Sequence, residues 1–588
     1  MVASKDLHFD WDINYVTAKP DGKQEQQVIG CNNAWPFPQI EAEYGDVLHI
    51  NVHNSLDMAT SLHSHGIFFH GLNEYDGAVG VTECGIPPGK NYTYTIPLNQ
   101  WGTYWIHSHS GAQYVEGWRT SLVIHPPKDK DPFKYDGDYT LPLSDWFYES
   151  ATALGDHFLS LQNPGGGEPS PDAALIREGA TTSINFEPGK TYRLRFINYS
   201  AAAIFFINID DHEMKIIEVD GVDVEPTTAK TIMIAAAQRY SVLVTAKNST
   251  DSNYLIHADL DVDKLDTLKD HLLPNITATI VYDDNADTAD PPARDWVSFN
   301  DLELTPIVKS NYSTPDQSID LTVTFNQLDD GMFYGMFNDI TYLRPKVPSL
   351  LTMLTTGEYA TDATIYGKMT NTYVFEQNKT IEIVLLNGDP DPHPFHLHGN
   401  TFQVVARGDV MEDYDPKNIP DNPNPMRRDT VVLPGNGYAV LRFFTDNIGS
   451  WFFHCHNEWH MIAGLAAVFN VDPVATQKQL TFSDTMKEFC AANDFLVEGN
   501  AMGKQGLDLA GQPEGPNPIN YSIHGSGIGA MAACVISAVL GILAIIWYSL
   551  NDPATNGDDD GTSTPIVTEE FKQGVAGGRD GSEGLSEH

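Results

Sequence analysis

The feature that most constrains this chain is a matching pair of segments, one near each end of the folded region, with metal-binding side chains at alternate positions. The segment "GTYWIHSH" (Gly102 to His109) matches "GSWFFHCH" (Gly449 to His456). Side chains of an extended strand alternate between two faces, so we expect His454 and His456 on one face and Cys455 on the other. Two metal sites on opposite faces of one strand are therefore predicted.

Four histidine pairs of the form H-x-H occur, whereas roughly one is expected by chance in a chain with this many histidines. The pairs are His63 with His65, His107 with His109, His396 with His398, and His454 with His456. Their eight imidazoles are too many for one ion and enough for a cluster shared by the first and last domains. Cys455 and His460, with an apolar residue beyond, suit the trigonal thiolate site of blue copper better than a zinc site.

Short alternating or β-branched runs dominate the chain, such as "VLHINVHNSL", "TYRLRFINYS" and "AVLRFFTDN", and Gly, Pro, Asn and Asp separate them. This pattern predicts an all-β protein made of sandwiches and disfavours alternating strands and helices. A chain of 588 residues is too long for one core. Proline-rich breaks at 126–127 and 290–292 predict domains at 1–127, 128–290 and 291–472.

The three predicted domains differ in their metal-binding residues. Ser108 stands where the last domain has Cys455, so we expect no thiolate site in the first domain. Residues 188–247 repeat the strand pattern without a histidine pair, which predicts a middle domain of the same build that binds no metal.

The C-terminal region predicts a membrane anchor. Residues 528–550 carry no charge over 23 positions and end with a Trp and a Tyr, which suits a membrane-spanning helix better than the alternative, a buried core helix. We expect 473–527 to form an extracellular stalk and 551–588 an acidic cytoplasmic tail. Seven N-x-[ST] sequons precede the apolar run and fit a secreted face: Asn91, Asn198, Asn248, Asn275, Asn311, Asn378 and Asn520. The N-terminus has no apolar signal core, so we expect a signal peptide to have been removed.

The charge balance limits the classes of binding partner, and the cysteine content limits the number of disulfides. The chain has 79 acidic against 34 basic residues, which disfavours nucleic acid and favours cations. Cys84 and Cys490, if paired, would form a structural disulfide.

The histidine motifs, in this order and spacing, resemble those of the multicopper oxidases over residues 5 to 470. The resemblance implies three cupredoxin-like Greek-key β-sandwiches and four copper ions. It implies a type 1 copper held by His393, Cys455 and His460. It also implies a type 2 copper held by His63 and His396, and a type 3 pair held by His65, His107, His109, His398, His454 and His456.

Three further residues follow from the same resemblance. Leu465, ten residues after the cysteine, occupies the axial position of the type 1 copper, where a non-coordinating side chain raises the reduction potential relative to Met. Asp76 and Glu458 match acidic positions beside the cluster, which suggests proton delivery to oxygen. The alternative for Asp76 is an ordinary residue of a turn before Gly77.

The family includes ferroxidases, laccases, ascorbate oxidases and bilirubin oxidases. The single C-terminal anchor and segments such as "PMRRDT" resemble the fungal cell-surface ferroxidases, which work with an iron permease. This predicts oxidation of Fe(II) with reduction of O2 to water, at the plasma membrane with the N-terminal domain outside. The alternatives are a vacuolar membrane, a laccase-like oxidase of phenols, and a non-enzymatic copper-binding surface protein.

The expected iron site follows from the resemblance to the ferroxidases. Its candidate residues are Glu168, Asp266, Asp389, Tyr334 and Asp261. Asp389 lies four residues before His393, so the sequence alone places it near the type 1 copper. The alternative for the other carboxylates is an ordinary solvated charge on an acidic surface.

Overall fold

The computed structural model describes residues 4–249, 251–294, 296–310, 312, 314–516 and 525–551. They divide into two units, with the boundary between residues 519 and 520. The first unit consists mainly of strands, as predicted, arranged in six sheets that form three sandwiches.

The first sandwich pairs a sheet of order β2-β1-β4-β6 with one of order β3-β8-β7-β5. Its strands are β1 (Asp6–Ala18), β2 (Gln26–Cys31), β3 (Ile40–Glu43), β4 (Val47–Asn54), β5 (His63–His65), β6 (Asn91–Pro97), β7 (Gly102–His107) and β8 (Arg119–His125). Strand β4 buries every second residue, including Leu48, Ile50 and Val52, so the core lies between the two sheets.

The middle sandwich pairs a sheet of order β10-β9-β12-β17-β14-β15 with one of order β11-β19-β18-β13-β16. Its strands are β9 (Gly137–Trp146), β10 (Ala173–Ile176), β11 (Thr181–Asn185), β12 (Thr191–Asn198), β13 (Phe205–Ile209), β14 (Met214–Val219), β15 (Val222–Ala229), β16 (Ile232–Ile234), β17 (Arg239–Thr245), β18 (Tyr254–Leu260) and β19 (Asn275–Val281). Helix α1 (Ala151–Phe158) lies in the connection from β9 to β10, and Ser150 caps its N-terminus.

The last sandwich pairs a sheet of order β21-β20-β23-β28-β25-β26 with one of order β22-β30-β29-β24-β27. Its strands are β20 (Gln317–Gln327), β21 (Phe333–Phe337), β22 (Thr372–Phe375), β23 (Thr380–Asn387), β24 (His393–Leu397), β25 (Phe402–Gly408), β26 (Arg427–Arg428), β27 (Thr430–Leu433), β28 (Tyr438–Phe444), β29 (Gly449–Cys455) and β30 (Ala466–Val471). Helix α2 (Ser349–Thr355) follows β21, and the short helix α3 (Glu458–Ile462) follows β29.

The internal sequence repeat corresponds to a repeated strand pairing. Strand β5 pairs with β7 so that His63 lies opposite His107, and β24 pairs with β29 so that His396 lies opposite His454. Strands β7 and β29 are buried at every position, because one face meets the core and the other is covered as well. Both strands can therefore present ligands on either face.

The region after the last sandwich differs from the expected stalk. Helices α4 (Pro473–Gln479) and α5 (Asp484–Ala492) belong to the first unit, and α5 buries Met486, Phe489 and Cys490. Cys490 forms a disulfide with Cys84 of the first sandwich. The stalk prediction is thus wrong for 473–516, because this segment buries apolar side chains and is covalently tied to the body.

Helix α6 (Gly525–Leu550) forms the described part of the second unit. Its segment Ile528–Leu550 has a mean hydropathy of 2.5 and is long and apolar enough to cross a membrane. No side chain of that segment is buried, which is compatible with a single-pass membrane anchor and disfavours the buried-core alternative. The predicted acidic tail lies outside the described residues.

The sequons are not equally accessible. Asn91, Asn248, Asn275 and Asn378 are exposed, whereas Asn198 is fully buried. The Asn198 amide donates to two backbone carbonyl oxygens, so it cannot carry a glycan in the folded protein. Asn311 and Asn520 lie outside the described residues.

Candidate metal centres

The predicted type 1 ligands converge at one point inside the last sandwich. Nδ1 of His393 lies 3.0 Å from Nδ1 of His460, and the latter lies 3.5 Å from Sγ of Cys455. Cys455 ends β29, His393 begins β24 and His460 lies on α3, whose N-terminus is capped by Asn457. The three donor atoms lie within 4.8 Å of one another and all three residues are buried.

The surroundings of the thiol favour its metal-binding form. Burial on its own would raise the pKa of Cys455, but His460 and His393 lower this pKa to about 7. A thiolate is the form in which cysteine binds metals. Leu465 is fully buried. It lies beside this site, because its backbone N–H donates to the carbonyl of His460 and its carbonyl accepts from the N–H of Cys455.

The other eight predicted ligands form one buried cluster between the first and last sandwiches. The ring centroids of His65 and His396 are 3.7 Å apart, and those of His63 and His398 are 4.1 Å apart. Donor atoms lie within 4.8 Å of one another in three groups: His63, His396 and His398; His63, His65 and His107; and His109, His398 and His454. His456 joins through its ring, 5.2 Å from that of His65. His454 and His456 therefore face the cluster while Cys455 faces the type 1 ligands, as predicted.

The ring nitrogens of the cluster fit a metal. Six cluster histidines have one nitrogen held by an outer group: His63, His65, His107, His396, His398 and His454. In four of them the other nitrogen is buried without a hydrogen-bond partner: Nε2 of His63, His107 and His396, and Nδ1 of His65. Burial also lowers the pKa of His107, His398 and His454 well below the ordinary value, which keeps the imidazoles neutral, as metal binding requires.

Asp76 is an outer partner of two ligands rather than an ordinary turn residue. Its carboxylate lies 2.9 Å from Nδ1 of His398, and its backbone carbonyl accepts a hydrogen bond from Nδ1 of His63 at 2.6 Å. The short 3-10 helix Asn73–Asp76 ends at Gly77, which has a φ of 82°. A Cβ at Gly77 would lie 2.1 Å from the carbonyl oxygen of Leu62, so only glycine lets this turn approach β5.

Glu458 is buried at the N-terminus of α3. Burial raises the pKa of its carboxyl group well above the ordinary value, although a hydrogen bond with Tyr114 opposes the shift. The ring centroid of Tyr114 lies 5.2 Å from that of His107 and 6.0 Å from that of His456. A buried carboxyl group with a raised pKa therefore lies one residue away from the cluster.

Two predicted iron-site carboxylates contact the outer nitrogens of the type 1 histidines. Glu168 contacts Nε2 of His460, and both its oxygens accept from the Asn457 amide at 3.2 Å. Asp389 lies 3.4 Å from Nε2 of His393. The side chains of Glu168 and Asp389 remain 24% and 22% exposed, so both can reach solvent.

The remaining iron-site candidates differ in their burial and in their hydrogen bonds. Asp266 is exposed and accepts a hydrogen bond from the backbone N–H of Glu168 at 2.6 Å, which joins two loops of the middle sandwich. Asp261 is half-buried in the same loop as Asp266. Tyr334 is buried on β21, and its hydroxyl donates to Asp330 at 2.9 Å.

Sequence reasoning missed one acidic residue at the cluster. Asp429 follows β26, and its carboxylate lies 3.1 Å from Nε2 of His65. It belongs to the "PMRRDT" segment, whose two adjacent arginines and aspartate were the available signal.

Fold and site together define a blue-copper oxidoreductase: three β-sandwiches, one thiolate site and one buried histidine cluster, joined by β29. Three family models described as "Multicopper oxidase" match residues 12–129, 137–285 and 342–475. The chain is 40% identical over 563 residues to the iron transport multicopper oxidase fetC of Epichloe festucae, covering 94% of this chain and 90% of that protein.

Two solved structures are also similar. Fet3p, a multicopper oxidase that functions in iron import, has a TM-score of 0.83 at 36% identity, covering 88% of this chain and 100% of that one. A laccase from Botrytis aclada has a TM-score of 0.73 at 28% identity, covering 85% of this chain and 95% of that one.

The chain belongs to the multicopper oxidase family. Its cofactors are one type 1 copper, one type 2 copper and a type 3 copper pair, and the free donor atoms described above fit this set.

The separation of the two ligand sets on β29 generates the first prediction. Replacing the thiol in Cys455→Ser removes the strong thiolate-to-copper absorption and stops turnover, because a hydroxyl is a poor copper ligand. The histidine cluster keeps its copper, since its donors lie on the other face. Absorption spectra and metal analysis of the purified variant measure both; a blue band that survives in Cys455→Ser contradicts the assignment.

Proposed function

We propose that this multicopper oxidase is a ferroxidase that oxidises Fe(II) and serves iron uptake. The supporting observation is the contact of Glu168 with His460 and of Asp389 with His393. Bound copper supplies one-electron oxidation at the type 1 site and four-electron reduction of O2 to two waters at the cluster. The protein supplies a place for iron beside the type 1 histidines.

The chemistry of these carboxylates suits ferrous iron. Iron prefers oxygen donors, and both carboxylates combine a solvent-exposed side with a contact to a copper-ligand histidine. Burial would raise the pKa of Glu168 and of Asp389, but His460 and His393 hold both pKa values below the ordinary one. The two groups are therefore anionic and attract a cation. Asp266 holds the Glu168 loop in place and adds negative charge.

The names of similar proteins support iron over phenols. The relative from Epichloe festucae and the structure of Fet3p are both described by their role in iron transport or import, and both are more similar to this chain than the Botrytis laccase is. The laccase-like function remains the second candidate.

We assign proton supply to Asp76 and Glu458. Reduction of oxygen to water consumes protons in a buried site, so acids close to the cluster are needed. Burial raises the pKa of Glu458, and Asp76 contacts the outer nitrogen of His398. Both groups lie close enough to exchange protons with the cluster through one further group.

The predicted membrane anchor suggests a subcellular location and a protein partner. An ectodomain held by one apolar helix, with its exposed sequons on the same side, suits the outer face of the plasma membrane; the vacuolar membrane is the alternative. There the enzyme would deliver ferric iron to an iron permease in the same membrane.

Removing the iron-site carboxylates tests the substrate. Glu168→Ala combined with Asp266→Ala lowers kcat/KM for Fe(II) by roughly 10- to 100-fold, because the metal loses its ligands beside His460. The blue absorption measures how much type 1 copper each variant retains, because Glu168 also contacts the ligand His460. Per type 1 copper, oxidation of a bulky phenol stays near wild type. The matched control is Glu376→Ala, a carboxylate of the last sandwich whose side chain is 84% exposed. An equal loss on iron and phenol favours the laccase-like function.

Neutral replacements test the proton supply. Asp76→Asn and Glu458→Gln each slow reoxidation of the reduced enzyme by O2, by roughly 100-fold, because the replacing amides cannot donate an acidic proton. Anaerobic reduction of the type 1 copper by Fe(II), followed by stopped flow, keeps its rate and serves as the control. Unchanged reoxidation in both variants excludes the proposed role.

Truncation tests the anchor. A chain that ends at residue 516 is a soluble and fully active oxidase, because every copper ligand lies at or before His460. Cells with only this form oxidise external iron but take it up poorly if the anchor keeps the enzyme beside a permease. The control is the same ectodomain fused to an unrelated membrane span. Normal uptake with the soluble form refutes the purpose given to the anchor.

A further inference from the structure

The carboxylate of Asp429 connects the copper cluster to the middle sandwich, which supplies none of the ligand histidines named above. Oδ1 of Asp429 lies 3.1 Å from Nε2 of His65 and 3.6 Å from Nδ1 of His396. Arg239, the first residue of β17, donates to both oxygens, at 2.7 Å and 2.6 Å. Asp429 and Arg239 are both fully buried, so no water competes with this pair.

The arginine determines what Asp429 can accept. With both oxygens accepting from the guanidinium, the carboxylate of Asp429 offers His65 an acceptor and no donor. Nε2 of His65 must therefore carry the proton, which leaves its Nδ1 with a free lone pair. That Nδ1 is buried without a partner, so it is the atom that faces a metal.

His65 makes its outer hydrogen bond through Nε2, whereas its neighbours use Nδ1. Five cluster histidines are held through Nδ1 and present Nε2 to the cluster: His63, His107, His396, His398 and His454. The exceptional orientation of His65 coincides with its contact to Asp429. The carboxylate thus explains why one ligand of the set binds through the other nitrogen.

The same residue also holds a type 2 ligand. The backbone carbonyl of Asp429 accepts a hydrogen bond from Nδ1 of His396 at 2.9 Å. Gln238, next to Arg239 on the chain, donates to the carbonyl of Thr430 at 3.0 Å. Two adjacent residues of the middle sandwich therefore fix the segment that supports both His65 and His396.

The local sequence leaves room for this contact. Gly66 follows His65 with a φ of 89°, and a Cβ there would lie 2.6 Å from an Arg239 nitrogen and 2.8 Å from an Asp429 oxygen. Any larger residue at this position would push the ion pair away from the histidine.

We propose that Asp429 and Arg239 are positioning residues of the copper cluster. Asp429 selects the nitrogen through which His65 binds copper and ties this type 3 ligand to the type 2 ligand His396. Arg239 holds both oxygens of Asp429 in place, and through this contact the middle sandwich takes part in forming the cluster.

Two conservative substitutions test the proposal. Asp429→Asn keeps the shape but offers an amide donor where an acceptor is needed, and Arg239→Lys keeps the charge but loses the two-pronged contact. The matched control is Arg195→Lys. Arg195 is also a buried arginine of the middle sandwich, binds Asp138 through two nitrogens and contacts Thr103, as Arg239 does. None of its hydrogen bonds described here reaches a ligand histidine.

Copper content, the blue absorption and the electron paramagnetic resonance signal of type 2 copper are measured on the full-length enzyme, with and without a competing copper chelator. We expect Asp429→Asn and Arg239→Lys to weaken copper retention at the cluster by roughly 10- to 100-fold, since outer partners of ligand histidines have effects of this size. The blue band should persist, which shows that the last sandwich is folded. Arg195→Lys should keep all its copper.

Two results overturn the proposal. One is full copper retention and an unaltered type 2 signal in Arg239→Lys. The hydrogen bonds of Arg239 do not reach a ligand histidine, so this variant tests positioning through Asp429 without changing a direct partner of His65. The other is an equal copper loss in Arg195→Lys, which would mean that any buried arginine of the middle sandwich has the same general effect on packing.

Discussion

The rest of the structure depends on buried imidazole nitrogens that have no partner within the chain. Within the described residues, such atoms include Nε2 of His63, His107 and His396, and Nδ1 of His65. Each unsatisfied buried polar atom costs about 1–3 kcal/mol, so a cluster of them destabilises the fold unless a cation binds. Copper binding and assembly of the first and last sandwiches are therefore one process, because neither sandwich alone presents the complete set.

Strand geometry then determines how the two metal sites relate. The alternation of side chains along β29 puts Cys455 and His454 on opposite faces, and this follows from the sequence because a strand has a period of two. The all-β architecture, the ten histidines and the cysteine could be predicted because their sequence signals are local. These signals are alternating runs, H-x-H pairs and a repeated segment. The apolar helix was equally readable from 23 uncharged residues.

Contacts between distant segments could not be predicted in this way. Arg239 and Asp429 are 190 residues apart in the sequence, and no local sequence pattern around either residue indicates that they pair. Glu168 could be named as an iron-site candidate only through a family resemblance, since only the fold brings its loop to His460. The expected stalk failed because α5 has a polar exposed face and only a few apolar residues, so its packing against the body has a weak sequence signal.

The three sandwiches share the work unequally. The first and last hold the cluster, and the last alone holds the type 1 site. The middle sandwich supplies none of the ligand histidines named above but reaches both sites: Arg239 contacts Asp429 beside the cluster, while the loops with Glu168 and Asp266 lie beside the type 1 histidines. The middle sandwich thus shapes the surroundings of both metal sites.

The central claim is that the carboxylates beside the type 1 copper make this enzyme an iron oxidase. It is tested most directly by comparing kcat/KM for different substrates. Oxygen consumption by the wild-type ectodomain would be recorded with Fe(II), Cu(I) and a bulky phenol under identical conditions. The structure predicts the highest kcat/KM for Fe(II), because Glu168 and Asp389 offer a cation an anionic place one contact from His460 and His393. A kcat/KM for the phenol that equals or exceeds the value for Fe(II) would contradict the account.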